Sequence, residues 1–315
     1  MTSLVTKTLL SHRLILVTGK GGIGKSLTTA ALALEAAAHG KKVLAVESSS
    51  QDQLAPLFGL SPVGHNLTAV NSNLSVINIK PQENFRDFVV LHLGHHGIFE
   101  KVFTKSIVSS FVRTIPGIAE LTLLGRLYYH AELSKDAHFD LIILDGYASG
   151  HFLSLVRTPD AIIGSGLQGP VVEETRRVKA YIEDPNKTAV IQVMVAKELV
   201  VGESVEFMRR FMEETNLSVK NLIVNRAAQP SIGAQDMNQA CSEFPGLGPV
   251  TRYLKKIQDD YERSMAALRQ GMREIPWRGV PPQMISLRDL GVIPEPLAYG
   301  LVKEWLAAGQ GEDYV

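Results

Sequence analysis

The sequence predicts an α/β chain whose doubly wound, mostly parallel sheet carries an inserted helical subdomain. Three observations support that reading. Short apolar runs without polar alternation recur along the chain, as in strands buried on both faces. Helix-periodic stretches separate them, the pattern of right-handed crossover units. Between about residues 83 and 135, apolar positions recur only at helical spacing.

Taken in order, Leu14-Ile15-Leu16-Val17 reads as the first buried strand. A glycine-rich turn from Thr18 to Gly24 follows, then an Ala/Leu-rich helix over Ser26–His39 that stops at Gly40. Val43 to Val46 is the second strand, and Asp140 to Asp145 is a central one with a carboxylate at its C-terminal end. Thr188–Val195 and Asn221–Val224 are two more, flanking a helix over Glu203–Glu214. Within 83–135, Phe85, Phe88, Val89, Phe99, Val102, Phe103, Ile107, Phe111, Leu121, Leu124, Leu127 and Tyr128 predict two or three helices. The prolines around Met284–Pro296 predict a loop beside the sheet edge, and 296–308 a closing helix. The whole chain, 1–315, reads as one domain with the helical part, 83–135, inserted in it.

Composition narrows the class. Of 315 residues, 45% are hydrophobic and 20% charged, so the chain can bury a sizeable core. Thirty-two basic residues balance thirty-two acidic ones, which argues against gripping nucleic acid or an anionic membrane along the whole chain. No nucleic acid partner is expected, and membrane contact only indirectly. The single cysteine, Cys241, excludes an intrachain disulfide and a Cys-paired zinc site within one chain. No apolar run approaches the ~18 residues of a membrane span. His12 and Arg13 interrupt the N-terminal stretch too early for a secretory core. A cytoplasmic, soluble protein is expected.

The most informative residues are Gly19-Lys20-Gly21-Gly22-Ile23-Gly24-Lys25-Ser26, which match G-x-x-x-x-G-K-[ST]. Glycines let backbone N–H groups turn inward around phosphate oxygens, and the following helix points its positive end at the same anion. Lys25 supplies a point charge near the β and γ phosphates, and the Ser26 hydroxyl ligates Mg²⁺. Asp145 ends a central strand beside this loop, where it binds Mg²⁺ through water. ATP or ADP with Mg²⁺ is the expected ligand. The nucleotide-binding set is Gly21, Gly22, Ile23, Gly24, Lys25, Ser26 and Leu27. The metal set is Ser26 and Asp145.

Lys20, the extra lysine inside the loop, resembles the signature lysine of the deviant Walker A ATPases. These include the nitrogenase iron protein, partition and division ATPases, and arsenite-pump type ATPases. Asp145-Gly146-Tyr147-Ala148-Ser149-Gly150-His151 resembles the D-x-A-P-T-G-H segment of the arsenite-pump and tail-anchored-protein-targeting ATPases. Pro116-Gly117-Ile118-Ala119-Glu120, Gly169-Pro170 and Asp184-Pro185 also resemble that family, and the likeness covers roughly residues 13 to 305. The resemblance implies a nucleotide-bridged dimer, homotypic or with a related ATPase, in which Lys20 reaches the partner's phosphates. It implies that Asn225 contacts the adenine edge and that the helical insert carries client-binding surface. Phe85, Phe88, Phe99, Phe103 and Phe111 fit a groove for an apolar protein client or the subdomain's own core; helical spacing does not separate the two.

The chain departs from the family after its second strand. Where relatives read D-x-D-P-A-H or D-x-D-P-A-Q, it reads Glu47-Ser48-Ser49-Ser50-Gln51-Asp52. Ser49 occupies the place of the water-orienting aspartate and cannot act as a carboxylate base. Glu47 and Asp52 are the nearby carboxylates that can substitute. The catalytic set is therefore Lys20, Lys25, Glu47 and Asp52, with slow hydrolysis expected. Two other classes stay open: a nucleotide-dependent scaffold or pseudo-ATPase, and a partition- or division-type ATPase. Against the latter, the last helical stretch has only Lys303 as a base, and the tail ends with Glu312 and Asp313.

Overall fold

The computed structural model describes residues 9–93, 117–134, 139–166, 168–226, 248–278 and 281–286. Strands β1 (Leu14–Thr18) and β2 (Val43–Glu47) flank helix α1 (Lys25–Ala38). After the short helix α2 (Leu54–Leu57) come β3 (Thr68–Ala69) and β4 (Leu74–Asn78). Helices α3 (Pro81–Leu93) and α4 (Ile118–Tyr128) follow, and a single π-helical stretch, Tyr129–Leu133, continues α4. Then come β5 (Leu141–Asp145), α5 (Ser149–Gly164), α6 (Pro170–Glu183), β6 (Thr188–Val195) and α7 (Glu198–Glu214). Strand β7 (Val219–Asn225), the long helix α8 (Gly248–Arg273) and β8 (Gln283–Ser286) complete the described elements.

The strands form one sheet in the order β3-β4-β2-β5-β1-β6-β7-β8. Only the β3–β4 pair is antiparallel; the other pairings are parallel. The chain winds outward in both directions from β1, so helices cover both faces. The alternation within β1 shows it. Leu14 and Leu16 join the core beneath α4 to α8, whereas Ile15 and Val17 join the core beneath α1 and α2. Every residue of β1, β2 and β6 is buried, which is why these strands read as continuous apolar runs.

Three elements differ from the sequence expectation. Residues 283–286, expected in part as loop, form edge strand β8 parallel to β7, because Ile285 is buried in the α1-side core. Residues 287–315, including the expected closing helix, lie outside the described residues. Strand β4 breaks its apolar run with Ser75 and Asn78, and the sequence reading names neither it nor α8, an otherwise polar helix that buries one narrow face through Met265, Leu268 and Met272. Within 83–135 the described residues contain no strand. Phe85 packs with Val89, Val90 and Ile118, whereas Leu123, Leu124 and Leu127 of α4 belong to the core under the sheet. Residues 94–116, with Phe99, Phe103 and Phe111, lie outside the described residues.

Candidate nucleotide site

The glycine turn leaves the C-terminal end of β1 in a conformation that only glycine holds easily. Gly19 has φ 145°, and a Cβ there would lie 2.3 Å from the Val193 carbonyl oxygen. Gly24 has φ 98°, and a Cβ there would lie 2.2 Å from Asn225 Nδ2. The space is taken because Asn225 donates from Nδ2 to the Ile23 carbonyl, 2.8 Å away. Asn225 therefore ties β7 to the loop from below. Helix α1 begins at Lys25 with no side-chain cap on its first N–H groups, leaving them available to an anion. Gly21 and Gly22 are exposed on the loop, Ile23 is buried, and Leu27 is partly buried against the α1-side core.

Strand register brings the carboxylates together. Val17 and Glu47 are the two partners of Asp145 across the neighbouring strands. Ser26 Oγ donates to Asp145 Oδ2 over 2.6 Å, and Gln53 Oε1 lies 3.2 Å from the same hydroxyl. Asp145 Oδ1 is buried with no hydrogen-bond partner. Burial pushes the Asp145 carboxyl up from the usual carboxylate range, with Ser26 and Lys25 opposing. Burial pulls the Lys25 ammonium down, with Asp145 opposing. Among the described residues, Lys25 Nζ hydrogen-bonds only to the Lys20 carbonyl of its own loop, at 3.3 Å. A glycine cradle, a serine hydroxyl and a buried carboxylate oxygen lacking a partner are the groups a Mg²⁺-phosphate ligand needs. Such a metal takes one or two protein ligands and its remaining oxygens from phosphate and water. The residues present fit it.

The facing segment is bound differently. Glu47 is buried and accepts from the backbone N–H groups of Gln53 at 3.0 Å and Leu54 at 3.2 Å. Its Oε2 is 3.1 Å from Ser49 Oγ, which also reaches the Gln51 carbonyl. Burial pushes Glu47 up, the Gln53, Leu54 and Ser49 donors oppose, and Asp145 beside it adds to the rise. Asp52 accepts from the backbone N–H groups of Val63 and Gly64, from Asn78 Nδ2 at 2.6 Å and from Lys80 Nζ at 3.4 Å. Burial alone would raise its pKa; those donors outweigh burial and hold it below the usual range. Lys80 also donates to the carbonyls of Ser49 at 2.9 Å and Ser50 at 3.3 Å.

Lys20 points to its own chain. Its Nζ is 2.7 Å from both carboxylate oxygens of Glu203 on α7. On the other side of the loop, a cleft of about 750 Å³ opens between Gly22, Ile23, Lys197, Arg226 and Tyr261. The sequence reading lacked Gln53, Asn78, Lys80 and Glu203. None belongs to a spacing motif. Asn78 and Lys80 arrive through β4, and Glu203 through a helix far along the chain.

Comparison with known proteins agrees with this geometry. The family described as anion-transporting ATPase matches residues 12–168 and 168–271. The chain is 28% identical over 237 residues to ATPase BagA of Mycobacterium tuberculosis, covering 72% of this chain and 69% of that protein. It is 24% identical over 289 residues to ATPase ASNA1 homolog 2 of Paramecium tetraurelia, covering 80% and 85%. It is 22% identical over 301 residues to ATPase GET3 of Kluyveromyces lactis, covering 83% and 84%. A match over most of the chain, with its cradle at the end of β1 and its paired carboxylate at the end of β5, makes this protein a member of the anion-transporting ATPase family.

Proposed function

We propose that the chain is a nucleotide-switched ATPase that binds Mg-ATP and ADP across Gly21 to Leu27. In this reading Ser26 and Asp145 hold the metal, Lys25 neutralises the phosphates, and Asn225 sets the loop against the base. The carrying observation is the Ser26–Asp145 pair beneath the glycine loop, with the second Asp145 oxygen buried and unpartnered. When bound, Mg²⁺ neutralises the phosphate charge and orients the transferred group. Lys20 acts across a dimer, homotypic or with a related ATPase, and leaves Glu203 to do so. The helical part, residues 83–135, forms the inserted subdomain that exchanges an apolar protein client. Among the described residues no helix is long and apolar enough to cross a membrane. We place the protein in the cytoplasm.

Hydrolysis is slow in this reading. Ser49 orients water through its hydroxyl, and Glu47, too buried to reach water itself, stands behind it as the carboxylate. A second reading, a nucleotide-dependent scaffold that closes but barely turns over, is favoured by the full hydrogen-bonding of Asp52.

Calorimetry with Mg-ATP tests the site. Lys25→Ala should weaken binding at least ~10-fold, about 1.4 kcal/mol. Undiminished affinity would remove the assignment. Light scattering tests assembly: ATP should drive association of the wild type, and Lys20→Ala should bind nucleotide but stay apart. A wild-type monomer at high concentration, with and without nucleotide, rules out the homodimer.

A further inference from the structure

One side chain joins the two segments that face the phosphate cradle. The Tyr147 hydroxyl donates to Ser48 Oγ across 3.2 Å. Ser48 in turn donates to the Ile79 carbonyl at 3.0 Å. A serine hydroxyl has one proton, so Ser48 can only accept from Tyr147, and the direction of the bond is fixed.

Tyr147 is itself held by two further contacts, one of them braced in turn. Its carbonyl accepts from Thr18 Oγ1 at the end of β1, 3.2 Å away. Its ring lies parallel to His151, with centroids 4.2 Å apart and planes 12° from parallel. His151 Nε2 is 3.0 Å from Glu120 Oε1 on α4. The hydroxyl therefore reaches Ser48 from a ring that cannot easily swing away. Where the D-x-A-P-T-G-H pattern has alanine, no side-chain atom extends this far. The tie is thus a property of this chain, and it meets the facing segment one residue before Ser49, the other departure.

We propose that Tyr147 is a positioning residue for ATP hydrolysis. Its bond to Ser48 fastens the Ser48–Gln51 segment to the strand end carrying Asp145, so that the two move together. Ser49, next in the chain, keeps its hydroxyl aimed as that anchor dictates. The inference rests on the nucleotide-switch reading above.

Tyr147→Phe removes only the hydroxyl and keeps the stacked ring. Turnover should fall about fivefold, what one ordinary hydrogen bond contributes, with Mg-ATP affinity unchanged. Ser48→Ala also loses the Ile79 contact, so the decisive comparison is Tyr147→Phe in the Ser48→Ala background, where it should have no effect. Hydrogen exchange gives a second readout that does not need turnover: amides of residues 49 to 52 should exchange about fivefold faster in Tyr147→Phe. Full turnover with unchanged exchange, or an equal loss in both backgrounds, overturns the proposal. Wild-type protein that binds no Mg-ATP overturns the nucleotide reading on which it rests; unchanged exchange in Tyr147→Phe would independently overturn the tie.

Discussion

The two walls of the site solve opposite problems. On the cradle side, polar groups are held in place yet left with unused capacity. Among the described residues, Lys25 hydrogen-bonds only to its own loop, and one oxygen of Asp145 is buried without a partner. On the facing side, almost every polar group is used. Asp52 collects four donors, Glu47 collects three, and Lys80 spans three acceptors between residues 49 and 52. A buried acceptor without a partner costs about 1–3 kcal/mol. Such groups are few in native proteins, and a water, an ion or a ligand can complete them. In the proposed reading the cradle is the binding surface and the facing segment the structural one.

Restoring the aspartate tests that contrast most strongly. Ser49→Asp should raise ATP turnover on the order of 10²-fold, the low end of what a positioned base contributes. Brisk hydrolysis by the unmodified chain, insensitive to Glu47→Gln, would refute both slow turnover and the part given to Glu47 behind Ser49.

A pH titration probes how far the structural side extends. Lys80 N–H donates to His65 Nδ1, His65 Nε2 donates to Asp87, Arg126 bridges Asp87 and His130, and His130 ends the chain. Burial, then the Arg126 charge, pull the His130 pKa down to about 4 from the usual 6.5. Its folded form is neutral and its unfolded form takes up a proton below 6.5. Stability should therefore fall as pH drops from 6.5 towards 4, by about 3 kcal/mol at the lower end. Chemical denaturation at both pH values measures it. A His130→Gln variant should show a flatter profile, and an equally steep one would assign the effect elsewhere.

The smallest effect belongs to Asp52. Asp52→Asn weakens bonds to a charged acceptor and should cost about 2 kcal/mol of stability while leaving turnover per folded molecule intact. Lost turnover with an unchanged melting curve would make Asp52 a working carboxylate and erase the difference between the walls.

The same contrast explains what the sequence could reveal. The cradle is local: glycines, lysine and serine sit within eight consecutive residues, and their backbone chemistry is readable from spacing. Asp145 was legible because it ends a run of buried residues. The facing wall is assembled at long range. Asn78 ends, and Lys80 follows, a strand whose Ser75 and Asn78 interrupt the apolar signal, and its pairing with β2 decides it. The partner of Lys20 lies 183 residues away, beyond any motif. Edge strand β8 was obscured by neighbouring prolines, although Ile285 fills the core.

The Lys20–Glu203 contact has a consequence for how the chain meets its solvent. Both side chains are nearly half exposed, at 44% and 47%. Such a pair contributes about 1 kcal/mol at most, and dissolved ions screen it over roughly 8 Å at physiological strength. The Ser26–Asp145 contact lies deeper, where screening is weaker. The molecule thus carries two electrostatic parts with different sensitivities. Changing the ionic strength shifts where the loop lysine rests while leaving the cradle's own balance nearly untouched.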